Sequence, residues 1–444
     1  MNPLNEQSQS VLKKIAFYTL GCKLNFAETS MLKKDFDSER FLIVPFKSKA
    51  DIYVINTCSV TTDAERDCRK VVRQALRKNP SAFVVVTGCY AQLDPEVIAG
   101  IEGVDLVLGA KEKFDIVKHS KNFKKHDQAV IHRKDVNEAV DFHHAFSSSD
   151  RTRVFLKIQD GCDYKCSFCT IPLARGQSRS PSIEEILEQA RIVIKDGYKE
   201  IILTGVNAGD FGKQTGETFY ELLLALDKLD GLERIRISSI EPNLLSHDII
   251  DLAARSTTIQ PHFHIPLQSG SDHMLRIMKR RYDTALYTDR VKSIREKIPD
   301  ACIGVDVITG HPGETPELFQ ETVSFLQSLD ISYLHVFTYS ERPDTLSYTM
   351  EKAVDVKERK KRTHILRNIS RQKRYDFHVK HIGSIRQVLI EDEQTNAYAA
   401  GWTDNYIRVV LKKPALKVKS SQIIQCKLID TDAHQEAVFG DIIS

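Results

Sequence analysis

Three cysteines within eight residues, Cys162-Asp163-Tyr164-Lys165-Cys166-Ser167-Phe168-Cys169, are the part of this sequence best suited to chemistry. Thiolates are soft ligands, and three on one short loop can bind three irons of a cubane cluster. The fourth iron is then open to a substrate, by the logic of a catalytic zinc that keeps one position free. The competing reading is a zinc knuckle missing its fourth ligand. Zinc sites usually build on C-x2-C pairs, so the C-x3-C-x2-C run favours iron–sulfur.

A second set is spread along the chain. Ile15–Tyr18 leads to Gly21-Cys22, Ile52–Ile55 to Asn56-Thr57-Cys58, and Phe83–Val86 to Thr87-Gly88-Cys89. Short β-rich apolar runs read as buried strands. The stretches between them, Ala27–Phe36 and Asp63–Arg77, have helical patterning. Strand–helix–strand alternation implies a parallel sheet, whose ligand residues collect beyond the carboxyl ends of the strands. Cys22, Cys58 and Cys89 therefore belong on one sheet edge, as ligands of a second metal group or as three buried packing thiols. Cys68, Cys302 and Cys426 fit neither set and read as packing residues.

The elements that must position these cysteines suggest three folded parts. A fourth N-terminal strand is expected at Val104–Leu108. Residues Ser120–Arg151 are polar and weakly periodic, and read as a linker with a hairpin. Six strands are expected at Val154–Ile158, Glu200–Thr204, Arg234–Ser238, His262–Ile265, Ile303–Ile308 and Tyr333–Phe337. Helical patterns separate most of them, at Ile183–Ile194, Thr218–Leu229, Leu245–Ala254, Asp272–Met278 and Glu317–Leu326. This is a partial (β/α)6 barrel with its chemistry at the carboxyl face. Val356–Lys380 holds ten Lys/Arg and two acids in one helical pattern. Short strands at Arg386–Ile390, Ile407–Leu411, Ile423–Ile429 and Ala437–Ile442 then suggest a small β-barrel. The class is α/β, with boundaries near 13–125, 126–147 (linker), 148–378 and 380–444.

Composition narrows the setting. The chain has 444 residues, with 63 Lys+Arg against 60 Asp+Glu. No apolar run approaches the ~18 residues of a membrane span. Met1–Lys14 lacks the apolar stretch of a signal peptide, and nine cysteines are too few for a disulfide scaffold. The expectation is a cytoplasmic protein without a membrane partner. Its near-neutral total conceals basic stretches at Val356–Lys380 and Arg66–Lys78, which suit nucleic acid.

The C-x3-C-x2-C spacing, with aromatic Phe168 before the last cysteine, resembles the radical S-adenosylmethionine (SAM) superfamily. Thr19-Leu20-Gly21-Cys22-Lys23-Leu24-Asn25, Asn56-Thr57-Cys58-Ser59-Val60-Thr61 and Thr87-Gly88-Cys89-Tyr90-Ala91-Gln92 resemble the methylthiotransferase family within it. So do Ile171-Pro172-Leu173-Ala174-Arg175-Gly176, His264-Ile265-Pro266-Leu267-Gln268-Ser269-Gly270-Ser271 and Asp306–Thr315. The similarity runs from about Lys14 to the C-terminus, and the terminal module resembles a TRAM domain.

The resemblance implies two 4Fe–4S clusters, one on Cys162, Cys166 and Cys169 and one on Cys22, Cys58 and Cys89, each with an open iron. It implies SAM as methyl donor and as source of a 5′-deoxyadenosyl radical. It places Phe168, Thr204, Gly205, Asn207, Gln268 and Ser269 near SAM. Arg175 and Arg179 are cations that could meet RNA phosphate or the SAM carboxylate, or lie solvated. Trp402 and Tyr406 are candidates for base stacking. The implied partners are the anticodon loop of tRNA, a reductant such as a flavodoxin or ferredoxin, and a sulfur source. Gly21-Cys22-Lys23-Leu24-Asn25 resembles the branch that acts on threonylcarbamoyladenosine at position 37. The alternatives are isopentenyladenosine in tRNA, a ribosomal-protein aspartate, or a non-catalytic iron–sulfur redox sensor that binds RNA.

Overall fold

The computed structural model describes residues 12–36, 38–58, 63–147, 152–394, 398–412, 418–432 and 436–443. Ser59-Val60-Thr61 of the second cysteine block lies outside the described residues. The chain forms two compact units. The first comprises Met1–Asp141, Ala145–Ser147 and Thr170–Gln177; the second comprises Phe142–His144, Ser148–Cys169 and Ser178–Ser444.

The first unit is built on β1 (Lys13–Thr19), β2 (Phe41–Ile43), β3 (Ile52–Thr57), β4 (Phe83–Gly88), β5 (Leu106–Leu108) and β6 (Val130–His132). All pair in parallel, in the order β2-β1-β3-β4-β5-β6. Every residue of β3 and β4 is buried, as central parallel strands covered on both faces must be. Their apolar runs were therefore legible. The strand order reverses at β1, so the crevice between the carboxyl ends of β1 and β3 is a topological switch point, where ligands collect in such sheets. β6 corrects the expected hairpin: it extends the sheet in parallel beside β5, Leu106 opposite Val130. With three residues and no buried position, β6 carried little apolar signal.

The second unit begins with β7 (Arg153–Lys157), β8 (Glu200–Thr204), β9 (Arg234–Ile237), β10 (His262–His264), β11 (Cys302–Thr309) and β12 (Tyr333–Thr338). β7-β8-β9 and β10-β11-β12 form two parallel sheets. Parallel bridges Ile235–Ile259 and Ser239–His264 join them into one six-stranded open barrel. Helices follow the strands, and several start on capping side chains: Ser182 and Thr218 form capping boxes with Glu185 and Glu221. The helix Thr284–Lys297 was not foreseen, because only Tyr287, Val291, Ser293 and Ile294 of it are buried. Its Asp283 cap, accepting from the Leu286 N–H at 2.8 Å, was the available signal.

The helix Val356–His381 packs along β12, where Ser370 bonds the Leu334 backbone in both directions at 2.9 Å. β13 (Ile385–Gln394), β14 (Tyr398–Thr403), β15 (Arg408–Lys412), β16 (Ile423–Thr431) and β17 (Val438–Ile442) close a barrel in the order β13-β14-β15-β17-β16. β14 was not foreseen, because Ala399, Ala400 and Gly401 are poor strand formers. The structure needs Gly401 there, since a methyl group on it would lie 2.4 Å from the Leu389 carbonyl oxygen.

Candidate active site

The first cysteine set gathers at the switch point of the N-terminal sheet. Register pairs Thr19 with Asn56 and Thr57 with Gly88, so β1, β3 and β4 end at one level and deliver Cys22, Cys58 and Cys89 together. The glycines that precede Cys22 and Cys89 have no room for a side chain. A methyl group on Gly21 would lie 2.5 Å from Cys58 Cβ and 2.8 Å from its Sγ. Gly88 has φ +100°, and a methyl group there would meet the Thr57 carbonyl oxygen at 2.3 Å. Asn25 ties the strand ends, donating from Nδ2 to the carbonyls of Leu20 and Thr57, each at 2.9 Å.

Arg175 completes this set. The sequence left it as an RNA or SAM contact or a solvated charge; in the structure it is 3% exposed. Its Nε donates to Cys89 Sγ at 3.2 Å, Nη1 to Glu28 Oε1 at 3.0 Å, and Nη2 to Asn25 Oδ1 at 2.6 Å. Lys113 holds the other Glu28 oxygen at 2.7 Å. Burial pushes the Cys89 thiol up, against the pull of Arg175. Glu28 and Lys113 gave no motif signal; only the fold shows that Glu28, held by Lys113, braces an arginine 147 positions further along the chain. Arg175→Met is expected to cost about 3–5 kcal/mol, the scale of breaking a buried pair. Calorimetry should show a lower midpoint, and iron analysis after dilution should show loss from this set. An unchanged midpoint with full iron retention would show Arg175 to be dispensable.

The second set follows β7. Cys162, Cys166 and Cys169 are half-buried on one loop. The Tyr164 N–H donates to Cys162 Sγ at 3.4 Å, and Arg280 Nη1 donates to Cys166 Sγ at 2.9 Å. Arg280 is itself paired with Glu241, just beyond β9, and donates from Nε to the Tyr282 hydroxyl at 2.9 Å. Each cysteine set thus has one sulfur facing a guanidinium, and each guanidinium is backed by a glutamate. Burial pushes the Cys162 thiol up to about 12, with Cys169, Cys166 and Asp210 adding to the rise. Three thiolates cannot be gathered in such a place without cations to neutralise them, and coordination to metal deprotonates thiols outright. The donor set therefore fits an iron–sulfur group.

Around this loop the other expected residues divide. Thr204 ends β8, and Gly205 follows where a methyl group would lie 2.9 Å from Gln159 Oε1. That oxygen accepts from the Val206 and Asn207 N–H groups at 2.9 and 3.0 Å. Asn207 and Asp210 are buried beside one another, and burial pushes the Asp210 carboxyl up despite Lys213 and the Asn207 side chain. Gln268 has φ +70° and pairs with Val307 by a β-bridge. Ser269 differs: its hydroxyl is fully buried and bonds Thr322 Oγ1 at 3.0 Å, so it braces the helix Pro316–Ser328. Phe168 packs edge-on to His311, ring centres 6.2 Å apart. Burial lowers the His311 imidazole to about 4, so it is neutral. Its Nδ1 faces the Pro312 carbonyl at 2.9 Å and must carry the hydrogen; Nε2 then accepts from the Ser167 hydroxyl at 3.0 Å. Arg179 is also buried, paired with Asp160 at 3.0 Å. Cys68, Cys302 and Cys426 lie in apolar clusters, as expected of packing residues.

One expectation for RNA contact is overturned and one is narrowed. Trp402 and Tyr406 stack on each other, centres 4.5 Å apart, beneath Arg153, the first residue of β7, and Arg236 of β9. They seat the C-terminal barrel on the core rather than present faces to bases. The basic helix is only partly a solvated surface. Arg359 and Arg362 are buried, Arg362 pairing with Glu314 at 2.7 Å, and Lys373 donates to the Leu329 carbonyl at 2.7 Å. Lys357, Lys360, Lys361, Arg367 and Arg371 remain exposed at spacings of one helical face. In the first unit, Arg66, Lys70, Arg73 and Arg77 form a similar exposed stripe.

No helix among the described residues is long and apolar enough to cross a membrane. A family model described as the radical SAM superfamily matches residues 156–326, and one described as uncharacterized protein family UPF0004 matches residues 14–109. The threonylcarbamoyladenosine tRNA methylthiotransferase MtaB of Bacillus subtilis (strain 168) is 39% identical over 410 residues, covering 90% of this chain and 90% of that protein. The protein of the same name from Aquifex aeolicus (strain VF5) is 38% identical over 399 residues, covering 89% and 96%. A solved structure of the radical SAM methyltransferase TsrM from Kitasatospora setae matches with a TM-score of 0.55 over 73% of each chain, at 13% identity, which bears on fold alone. With two cysteine triads on two α/β scaffolds and relatives this similar along nine-tenths of its length, the chain belongs to the radical SAM methylthiotransferase family, enzymes that use two 4Fe–4S clusters and SAM.

Proposed function

We propose that this enzyme converts N6-threonylcarbamoyladenosine at position 37 of tRNA to its 2-methylthio derivative in the cytoplasm. The observation that carries this reading is the pair of separate cysteine triads, each on strand carboxyl ends and each facing one guanidinium. The substrate follows the names of the MtaB relatives. When bound, the clusters and SAM would supply a site to hold the sulfur, the methyl group, and the radical for the adenine C2–H bond. The protein's own part is to hold and to exclude. Cys162, Cys166 and Cys169 hold one cluster and Cys22, Cys58 and Cys89 the other. Arg280 and Arg175 donate hydrogen bonds to their sulfurs, which is one of the levers on cluster potential. Thr204, Gly205, Asn207, Gln268 and Phe168 are the groups proposed to face SAM; Ser269 supports the strand end behind them.

The exposed basic stripes on Val356–His381 and Asp63–Lys78 suit the phosphates of a folded RNA, and such contacts position without reading sequence. The barrel contributes by docking on the core. The proposed electron donor is a flavodoxin or ferredoxin, with a separate sulfur source. The deciding experiment is nucleoside mass spectrometry of tRNA from a strain lacking this gene. Loss of 2-methylthio-threonylcarbamoyladenosine, restored by complementation, is expected. Loss of the isopentenyl derivative instead would move the enzyme to that branch. An unchanged tRNA profile would leave the ribosomal-protein aspartate, and absence of 5′-deoxyadenosine formation by the reduced protein would leave the redox sensor.

A further inference from the structure

Two imidazoles and a carboxylate converge on three neighbouring strands of the core. His264 is the last residue of β10, Asp306 lies inside β11, and His335 is the third residue of β12. Register places His264 beside Gly304 and Asp306 beside His335, so the three side chains share one side of the sheet. Thr309 projects from the other side of β11, where it bonds Thr363 of the helix Val356–His381 at 2.7 Å. The three residues therefore face away from that helix, on the concave side of the open barrel. Toward the amino ends of the strands, the same side is already covered: Cys302 and Tyr333 pack into the core of the C-terminal barrel, and His262 stacks on Tyr406. His264, Asp306 and His335 form the next layer up.

His264 Nε2 and Asp306 Oδ1 are 2.8 Å apart, and the His264 and His335 rings are 5.3 Å apart. One ligand atom from each of the three residues lies within 4.8 Å of the other two. His264 and Asp306 are mostly buried and His335 is exposed, so the set is reachable from solvent. His335 also packs edge-on to Tyr333, ring centres 5.1 Å apart, so the site would use an imidazole already held in place. With neutral imidazoles the set carries one negative charge. It lacks the several carboxylates that calcium or magnesium would want, and two nitrogens with one carboxylate suit a divalent transition metal. Three protein ligands on one side leave coordination positions open to the concave face.

We infer that His264, Asp306 and His335 form a third metal site, for a divalent transition ion of the zinc or iron(II) class, distinct from the two cysteine sets. The open positions would take an oxygen donor of a ligand entering the barrel.

The test uses the reconstituted full-length enzyme with both clusters loaded, equilibrated anaerobically by dialysis against buffered zinc. Wild type should retain about one zinc per chain beyond its iron. His335→Gln, at an exposed position, should bind zinc at least ~10-fold more weakly, the scale seen when even an outer-shell partner of a metal ligand is lost. Its iron content and circular dichroism should not change. Zinc should raise the thermal midpoint of wild type and not of His335→Gln. His264→Gln provides a second variant from the buried side. Absence of zinc from wild type overturns the inference, and so does equal zinc in wild type and in both variants.

Discussion

Alanine at Cys22, Cys58 and Cys89 together is expected to lower bound iron from about eight to about four per chain, reasoning from two cubane clusters. Reductive cleavage of SAM to 5′-deoxyadenosine should survive, because the loop Cys162–Cys169 and its Arg280–Glu241 support belong to the second compact unit. Methylthiolated product should vanish. The complementary variant, alanine at Cys162, Cys166 and Cys169, should lose the other four irons and SAM cleavage with them. Folding is a fair concern for buried Cys89, whose Sγ meets Arg175. Removing a thiol of high pKa costs that arginine one of several partners, since Glu28 and Asn25 still hold it. Iron analysis, electron paramagnetic resonance of the reduced protein and product chromatography give three separate readouts. Iron that stays near eight in the first variant would sink the assignment of the N-terminal set.

Methionine at Arg236 should be the most damaging single change to the second unit. Arg236 on β9 is 1% exposed and grips Glu200 with two bonds, at 3.0 and 3.2 Å. Its remaining N–H groups reach the carbonyls of Asp404 and Thr403 at 2.9 and 3.2 Å, and the neighbouring Arg234 donates to the Gln387 carbonyl at 2.9 Å. Burial works to raise the Glu200 carboxyl, and the surrounding guanidiniums more than offset it, holding it below the usual carboxylate range. Glu200 is therefore a buried anion. Removing its main partner should cost about 3–5 kcal/mol, as when one half of a buried pair is lost. Loosened seating of the C-terminal barrel should appear as faster proteolysis near residues 382–384, between the helix and β13. Adding Glu200→Leu removes the stranded anion and should recover much of the loss. A double variant no more stable than Arg236→Met would contradict this account.

The parts of the molecule that could be read in the sequence were those where residue type and burial coincide. β3 and β4 are buried throughout and apolar throughout, so the cysteines at their ends could be placed before any coordinates. β2 and β6 are three-residue strands at the sheet edges, mostly accessible, and the helix Thr284–Lys297 buries only a narrow stripe. Such elements are held by their neighbours rather than by their own pattern. Charged side chains were the hardest to place. Arg175, Arg179, Arg236 and Arg362 carry the same label as a solvated arginine, yet each is buried against a specific carboxylate. Trp402 and Tyr406 misled for a related reason: an aromatic pair beside cations looks like a base platform until the cations prove to come from the same chain.

The membership of Thr170–Gln177 in the N-terminal unit bears on how the protein is made. By the time residue 147 has left the ribosome, the N-terminal sheet and its three cysteines are complete in sequence, but Cys89 lacks its arginine. At about 5–20 residues per second, the 28 residues from there to Arg175 take roughly one to six seconds to synthesise. The other three cysteines emerge within that interval. The nascent N-terminal sheet thus waits for a strap that arrives six residues behind Cys169, and its closing contact forms only after both sets of cysteines exist. A fragment ending before residue 170 would hold that waiting state indefinitely.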